Sequence, residues 1–537
     1  MRRNTIVHGA CLLLFAGGMV AVWMTPVMLA GFPYILPATV LHAKQFAATG
    51  ILPYEQSAFI TLFLRLFHPL IAWENVVGWT VVSAGTLAAA LLPFWWMVRR
   101  LFGTATAWIA VVIFSFMPLY WTEAVLNVAY PMALFFLFLG FALFLGLVER
   151  HRITAVAVFG LCMGAVLHSS HAFLTFLPWL VIVYFWFRRR QWVRGGAELG
   201  ISGVFLCIAL ALPLLPNALV AGLAPAERIA AVIPSPAEHT TGIWHLYPDE
   251  FTYTFLRDEF EQIMFLRDAE APLLTRLQDR YTLMIFGKGD TSVVGRAANG
   301  LWLFLNTLPH LFLQEYVGGI FLWLFIVPGL VVLWRRRRSL LVFVTGLWLS
   351  TEFLLRFVLH YGRTHLMDWG WALPVIAAVG VVTLADLLHE RWKRVPAIVF
   401  AIVMALVIAG QMVQVNRQLF ARNYARSSVP ASYAAAEALA AIPSGAIVAH
   451  PRGDELFYFS DRSHVVIATQ TVEYLAEHGR LREPFVYHNV THILGYDAET
   501  AALITRAVPG IRVVAPAAVK MPVTVTPLIR YLLHLIR

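Results

Sequence analysis

The chain has 537 residues, 60% of them hydrophobic and 13% charged, with a formal net charge of +10. A soluble chain carries roughly 25% charged residues, so this composition excludes one. The positive charge calls for no nucleic acid, because it is concentrated in arginine clusters that each stand beside a long apolar run. Short cytoplasmic loops retain Lys and Arg, and each cluster therefore marks a return of the chain to the cytoplasm.

The clusters are Arg2-Arg3, Arg99-Arg100, Arg150 with Arg152, Arg188 to Arg190 with Arg194, Arg335 to Arg338, and Arg391-Trp392-Lys393-Arg394. Spans of roughly 20 apolar residues must alternate between them. The first apolar run, from Ile6 to Ala30, is too long for a signal-peptide core and is expected to remain as an uncleaved span. Residues 31–75 then lie outside, with Phe59 to Trp73 as an interfacial helix, because Arg65, His68 and Pro69 interrupt it. A second span returns over 76–98. Spans follow at 104–121, 126–147, 153–168, 171–187 and 197–216, then at 316–334, 339–359, 370–388 and 395–414. The expected fold is an α-helical polytopic membrane protein of about eleven spans, cytoplasmic at its N terminus. No inverted repeat or pair of broken helices points to a transporter.

Two other regions lie outside. The loop 217–299 carries the aromatic and acidic stretch Trp244 to Glu250 and helical runs around Phe260 to Arg280, and is expected to lay helices across the outer membrane face. The division expected is a membrane domain over 1–415, containing the external loops 31–75 and 217–299, and an extracytoplasmic α/β domain over 416–537. In that domain Ser432 to Ala441 and Ala498 to Ala507 read as helices, Ala446 to His450 and His464 to Ala468 as strands. Cys11, Cys162 and Cys207 all fall in apolar runs and form no disulfide framework.

Charges at the membrane edge are costly and mark function. At the outer ends of the expected spans the sequence places Glu352 and Arg356, four apart on one helix face, then His360-Tyr361-Gly362-Arg363-Thr364-His365, and Asp368. His168-Ser169-Ser170-His171 forms a turn at the same face, the first external loop adds His42, Lys44 and Glu55, and Glu123 stands between two spans. Glu352 with Arg356 is equally compatible with a structural pair. His168 and His171 read first as helix caps that bond backbone carbonyls, and two histidines without a third ligand do not define a metal site. Arg363, beside aromatic and His residues, suits a lipid phosphate that a guanidinium grips with two donors, with snorkelling to ordinary headgroups as the alternative.

Several stretches resemble the GT-C superfamily of polyprenyl-phosphate-sugar-dependent glycosyltransferases, in particular bacterial relatives of protein O-mannosyltransferases and aminoarabinose transferases. These are Tyr34 to Pro53 after the first span, Val98-Arg99-Arg100-Leu101-Phe102-Gly103, Tyr130-Pro131, Gly160 to Leu174, and His360 to Pro374, with a small α/β domain closing the chain. The resemblance implies transfer of a sugar from a polyprenyl-phosphate carrier to an extracytoplasmic glycan, lipid or protein, in the bacterial inner membrane. Members usually carry an Asp shortly after span one and another before the fourth span. Here Ala30 to Tyr34 and Asn127 to Tyr130 contain no carboxylate. Glu55 and Glu123 are then the nearest candidates for the base, while Arg363, Arg356, His360, Lys44, His168 and His171 would hold the donor phosphate. No cofactor is required, and no ligand spacing supports a divalent metal, although the chemistry permits one. The alternative is a non-catalytic, lipid-carrier-binding subunit in envelope polysaccharide assembly that keeps the fold without the acidic centre.

Overall fold

The computed structural model describes residues 2–30, 58–67, 76–214 (less 127, 151–152, 170–172 and 174), 243–246, 317–357, 367–425 (less 394–395), 438–451 (less 440–441 and 444) and 464–514 (less 468, 478 and 488). The chain is a helical membrane protein. Helices stand at the expected spans: α1 (Arg2–Ala30), then after the short α2 (Ala58–Phe67) come α3 (Val76–Phe102), α4 (Thr104–Phe116), α5 (Pro118–Leu126), α6 (Ala129–Arg150), α7 (Ile153–Ser169), α8 (Phe176–Phe187) and α9 (Trp192–Ala211). Beyond the long loop follow α10 (Ile320–Arg336), α11 (Arg338–Phe357), the one-turn α12 (Met367–Gly370), α13 (Ala372–Arg391) and α14 (Ala397–Ala425). Among the described residues, the helical segments 6–27, 78–102, 192–211, 368–391 and 397–421 are each long and apolar enough to cross a bilayer unaided.

The expected span at 104–121 is two helices, for a local reason. Met117 adopts extended backbone before Pro118, as the steric demand of a following proline requires, so α4 stops at Phe116 and α5 restarts with proline at its first position. Gly103, at φ 94, likewise turns the chain between α3 and α4 where a Cβ would be strained. Helices in a bilayer gain nothing from leaving water, so close backbone approach has to hold them together. Gly160 and Gly164 supply it on α7, where an added Cβ would run into the backbone of Ser202 and the side chain of Ala209 on α9. Gly329 and Gly380 do the same for α10 and α13.

Tertiary hydrogen bonds sort the helix ends into two groups. At one end Trp23 of α1 donates to the Ser115 carbonyl at 2.8 Å, Trp121 to the Trp23 carbonyl at 3.3 Å, and Asn416 to the Phe116 carbonyl at 2.9 Å. At the other, Trp108 meets His8 at 3.4 Å and Arg100 donates to the Ala142 carbonyl at 3.3 Å. This second end gathers Arg99-Arg100 and the start of α1, which the arginine alternation assigns to one side.

Apart from the helices stands a five-stranded, all-parallel sheet ordered β1 (Ile243–Leu246), β3 (His464–Ile467), β2 (Ile447–His450), β4 (Val490–Leu494), β5 (Arg512–Val514). Helices α15 (Thr469–Glu477), α16 (Arg482–Tyr487) and α17 (Ala498–Ala507) accompany it. One cluster packs Ala449, Ile493, Leu475, Phe485 and Ile504; another packs Val448 and Leu494 against Leu439. Successive residues of β2 and β4 thus enter different clusters, as the period of two dictates. Asp497 caps α17, its carboxylate accepting from the Thr500 N–H at 2.8 Å. The strands at 447–450 and 464–467 and the helix at 498–507 stand where the sequence puts them. The aromatic stretch of the long loop differs from its expectation: Ile243 to Leu246 is an edge strand on β3, while Phe260 to Arg280 lies outside the described residues.

Candidate functional site

The first group of helix ends is also where the candidate residues lead. Thr175, at the start of α8 and four residues after His171, donates to Thr351 Oγ1 at 3.4 Å, and Ser350 donates to the Thr175 carbonyl at 2.5 Å. The turn that follows the two histidines is therefore tied to α11 immediately before Glu352 and one turn before Arg356. Phe59, at the start of α2 and four residues after Glu55, lies 6.2 Å from the His168 ring and 5.9 Å from Phe136. The His168 ring bonds the Leu210 carbonyl at 2.7 Å through Nε2, which fixes its plane between α7 and α9.

A second pair of elements meets beside these. Tyr120 on α5 is fully buried, and a Cβ added at Gly370 would come 3.3 Å from its hydroxyl. Asp368, the second residue of α12, is 0% exposed and stands two residues before Gly370. Glu123 lies one turn after Tyr120 on α5, so its helix adjoins the element that follows Arg363 by five residues. Asp368 sits among indoles: Trp371 donates to its backbone carbonyl at 2.8 Å, and Trp369 packs 5.9 Å from Trp348. A carboxylate this deep in an aromatic setting is held there against a large desolvation cost, and the sequence signal for it, Met-Asp-Trp-Gly-Trp at the mouth of a span, is visible only once its burial is known.

Of the residues singled out from the sequence, Lys44, Glu55, His171, His360 and Arg363 lie outside the described residues. Glu123 and Arg356 lie on described helices, but their side chains are outside the description. His168 is placed as given above. Among the described residues, no group of three His, Cys, Asp or Glu side chains could hold a metal ion. The described residues thus show a buried carboxylate, Asp368, near a buried phenol, Tyr120, on the helix that carries Glu123, and a histidine ring, His168, shortly before a turn tied to the helix that carries Glu352 and Arg356. Such a set can accept a proton from a hydroxyl and present cations to a phosphate.

No protein-family model matches the chain, and no curated protein matches it in sequence. Its structure is similar to that of ArnT from Cupriavidus metallidurans bound to undecaprenyl phosphate, with a TM-score of 0.51 and 12% identity, over 94% of this chain and 90% of that one. It is also similar to the Archaeoglobus fulgidus oligosaccharyltransferase in its apo form, with a TM-score of 0.53 and 12% identity, over 90% of this chain and 68% of that one. Likeness at this level of identity establishes a shared fold, which is the GT-C fold expected from the sequence.

Proposed function

We propose that this chain is an integral-membrane glycosyltransferase that takes a sugar from a polyprenyl-phosphate carrier and passes it to an extracytoplasmic glycan, lipid or protein. The observation that carries the reading is the buried Asp368 near Tyr120 on the helix bearing Glu123, with the turn after His168 tied to the helix bearing Arg356, in a fold shared with a protein solved with undecaprenyl phosphate. In this reading Glu55 or Glu123 removes the proton of the acceptor hydroxyl as its oxygen attacks the anomeric carbon. The bond from that carbon to the phosphate oxygen breaks, and its electron pair leaves on a phosphate that Arg363 stabilises, with Arg356, Lys44, His360, His168 and His171 assisting. Asp368, buried beside Tyr120, is a positioning residue for the loop between α11 and α12.

The membrane is the bacterial inner membrane, the arginine-rich end is cytoplasmic, and the site faces the opposite leaflet. Residues 1–415 form the membrane domain and 416–537 the extracytoplasmic α/β domain, to which the loop 217–299 lends strand β1. The absence of a carboxylate from Ala30 to Tyr34 favours a second reading on the same fold, a carrier-binding subunit without transfer activity. Both readings require undecaprenyl phosphate to bind the purified chain, and transfer of a radiolabelled sugar from its polyprenyl-phosphate ester separates them. Failure to bind undecaprenyl phosphate would reject both.

A further inference from the structure

A cavity of about 150 Å³ lies among α3, α6, α10, α11 and α13, on the arginine-rich side of Trp371, whose indole separates it from Asp368. Val98, Phe141, Leu333 and Ile376 are among its lining residues, Trp371 closes it toward Asp368, and Ser339 is the one hydroxyl-bearing residue of the lining. Met97, Val98, Phe141, Leu333, Trp371 and Ile376 in the lining are buried, whereas Leu101, Phe102, Leu145, Leu340, Phe343 and Val344 are half-buried and Ser339 is exposed, so the cavity opens along α11 toward its turn with α10. An apolar cavity of about this size stays dry and accepts a hydrocarbon of about six carbons.

The mouth carries a second, independent feature. Arg99 and Arg100 lie between the lining residues Val98 and Leu101, and Arg335 to Arg338 lie between Leu333 and Ser339. Arg100 is turned to the Ala142 carbonyl, Arg99 stacks over Trp95 at 4.9 Å, and Arg338 stacks over Trp334 at 5.3 Å. Arg335, Arg336 and Arg337 are exposed. Exposed arginines therefore stand beside the exposed end of a cavity whose lining is almost wholly apolar. Basic residues at this depth attract anionic headgroups, and a guanidinium cluster offers the paired donors that a phosphodiester accepts.

We infer that this cavity is a binding site for one anionic phospholipid of the arginine-side leaflet, with the end of an acyl chain in the cavity and the phosphate at Arg335, Arg336 and Arg337. The site is separate from the donor site, so its presence does not depend on the glycosyltransferase reading. Chain and headgroup make separate demands, and the variants can separate them. Ser339→Phe at the exposed mouth and Ala372→Leu in the depth should each block the chain. The triple Arg335→Gln, Arg336→Gln, Arg337→Gln variant should remove the headgroup preference and leave the cavity open.

The test uses the full chain purified in a neutral detergent, with bound lipid counted by native mass spectrometry during titration. Wild-type protein should bind dioleoyl phosphatidylglycerol at least tenfold more tightly than dioleoyl phosphatidylcholine, and should not retain water-soluble glycerophosphoglycerol. Ser339→Phe and Ala372→Leu should weaken phosphatidylglycerol about tenfold without changing undecaprenyl phosphate binding. The triple variant should bind the two phospholipids alike. Thermal unfolding of each variant identifies any that is misfolded, and the two blocking variants stand in for one another. Equal binding of the two phospholipids by the wild type, or phosphatidylglycerol binding indifferent to both blocking variants, would mean loosely held annular lipid only and would overturn the inference. Glycerophosphoglycerol binding as strongly as the phospholipid would also overturn it, because the cavity would then contribute nothing.

Discussion

Thr175 and Thr351 meet through their hydroxyls at 3.4 Å, which joins the segment following His168 and His171 to the helix that carries Glu352 and Arg356. Hydrogen bonds between helices in a bilayer contribute only about 0.6 kcal/mol on average. The expected coupling between Thr175→Val and Thr351→Val in a double-mutant cycle of thermal stability is therefore of that order. A larger effect on undecaprenyl phosphate affinity than on stability is expected for either single variant, since the bond orients two parts of the proposed donor site. Loss of stability with unchanged affinity would assign the pair to packing alone.

Asp368 offers a sharper test. If it positions the segment that contains Arg363, Asp368→Asn should lower undecaprenyl phosphate affinity or sugar transfer by at least tenfold. Asp386→Asn, at an exposed position farther along the same run of helix, should leave both unchanged. Tyr120→Phe should have an intermediate effect, because it removes one neighbour of Asp368 and keeps the ring that stacks on Phe114 at 4.2 Å. The measurements are binding and single-turnover transfer on the three purified variants, with equal values for Asp368→Asn and Asp386→Asn as the refuting result.

At the arginine-rich end, Glu198 holds Arg188 at 3.3 Å and Arg194 at 3.3 Å, and Tyr184 donates to its carboxylate. Arg188 is 7% exposed and Arg194 53% exposed, so the two contacts differ in worth. Removing one partner of a buried ion pair leaves a buried charge and costs about 3–5 kcal/mol, while exposed pairs contribute about 0–1 kcal/mol. Glu198→Ala should accordingly lower the unfolding midpoint far more than Arg194→Ala in a thermal scan of detergent-solubilised protein. Similar shifts for the two would show that Arg188 is not held by Glu198.

The spans were legible because the bilayer imposes both length and hydropathy on them, and because arginine marks their ends. Helix α17 was legible because Ala501 and Ile504 recur at helical spacing, and it begins at Ala498 as read. Strand β1 was not, since four residues (Ile243 to Leu246) acquire strand geometry only by pairing with β3 at His464 to Ile467, and that partner is distant in sequence. Met117 breaking the expected third span was readable in principle from Pro118. Asp368 was noticed as a charge beside a span but not as the buried one, because burial follows from where Tyr120 and Trp348 pack. The roles of Lys44, Glu55 and Arg363 rest on the sequence and the proposal built from it.

The parallel sheet should lose stability in acid. The His492 imidazole is held below its ordinary range, first by burial and then by the neighbouring positive charge of Arg512. The Asp497 carboxyl is held low by the N–H and hydroxyl of Thr500. A group with a depressed folded pKa contributes full stability above its unfolded pKa and loses it as pH falls toward the folded value. For His492 the loss begins as pH drops through about 6.5, and for Asp497 only below about 4. Once corrected for the intrinsic rate, which itself falls with pH, the hydrogen-exchange protection of β4 and α17 in the full chain should therefore decrease between pH 7.5 and 5.5, and His492→Gln should flatten that change. A flat profile in the wild type would refute the assignment to His492.

The sidedness of the molecule can be read directly. A reporter that signals only in the cytoplasm should be active when fused after Arg190 or Arg338 and silent when fused near Asp258 or Asp454. The opposite pattern at either pair would move every proposed site residue to the wrong leaflet, and with it the acceptor.

Arg363 decides whether the shared fold carries the proposed chemistry. It follows Arg356 by two helical turns' worth of chain and precedes the buried Asp368 by five residues. Lysine keeps the charge but offers a compact ammonium in place of the planar pair of donors. Arg363→Lys should therefore weaken undecaprenyl phosphate by about 1.5–3 kcal/mol, the range for a hydrogen bond to a charged group, and Arg363→Ala by more. Arg391→Ala, at the exposed far end of α13, should change nothing. Equilibrium binding of undecaprenyl phosphate to the three purified variants measures all of this. Equal affinities would reduce Arg363 to an arginine that reaches for ordinary headgroups, and the sugar-transfer proposal would keep only its fold.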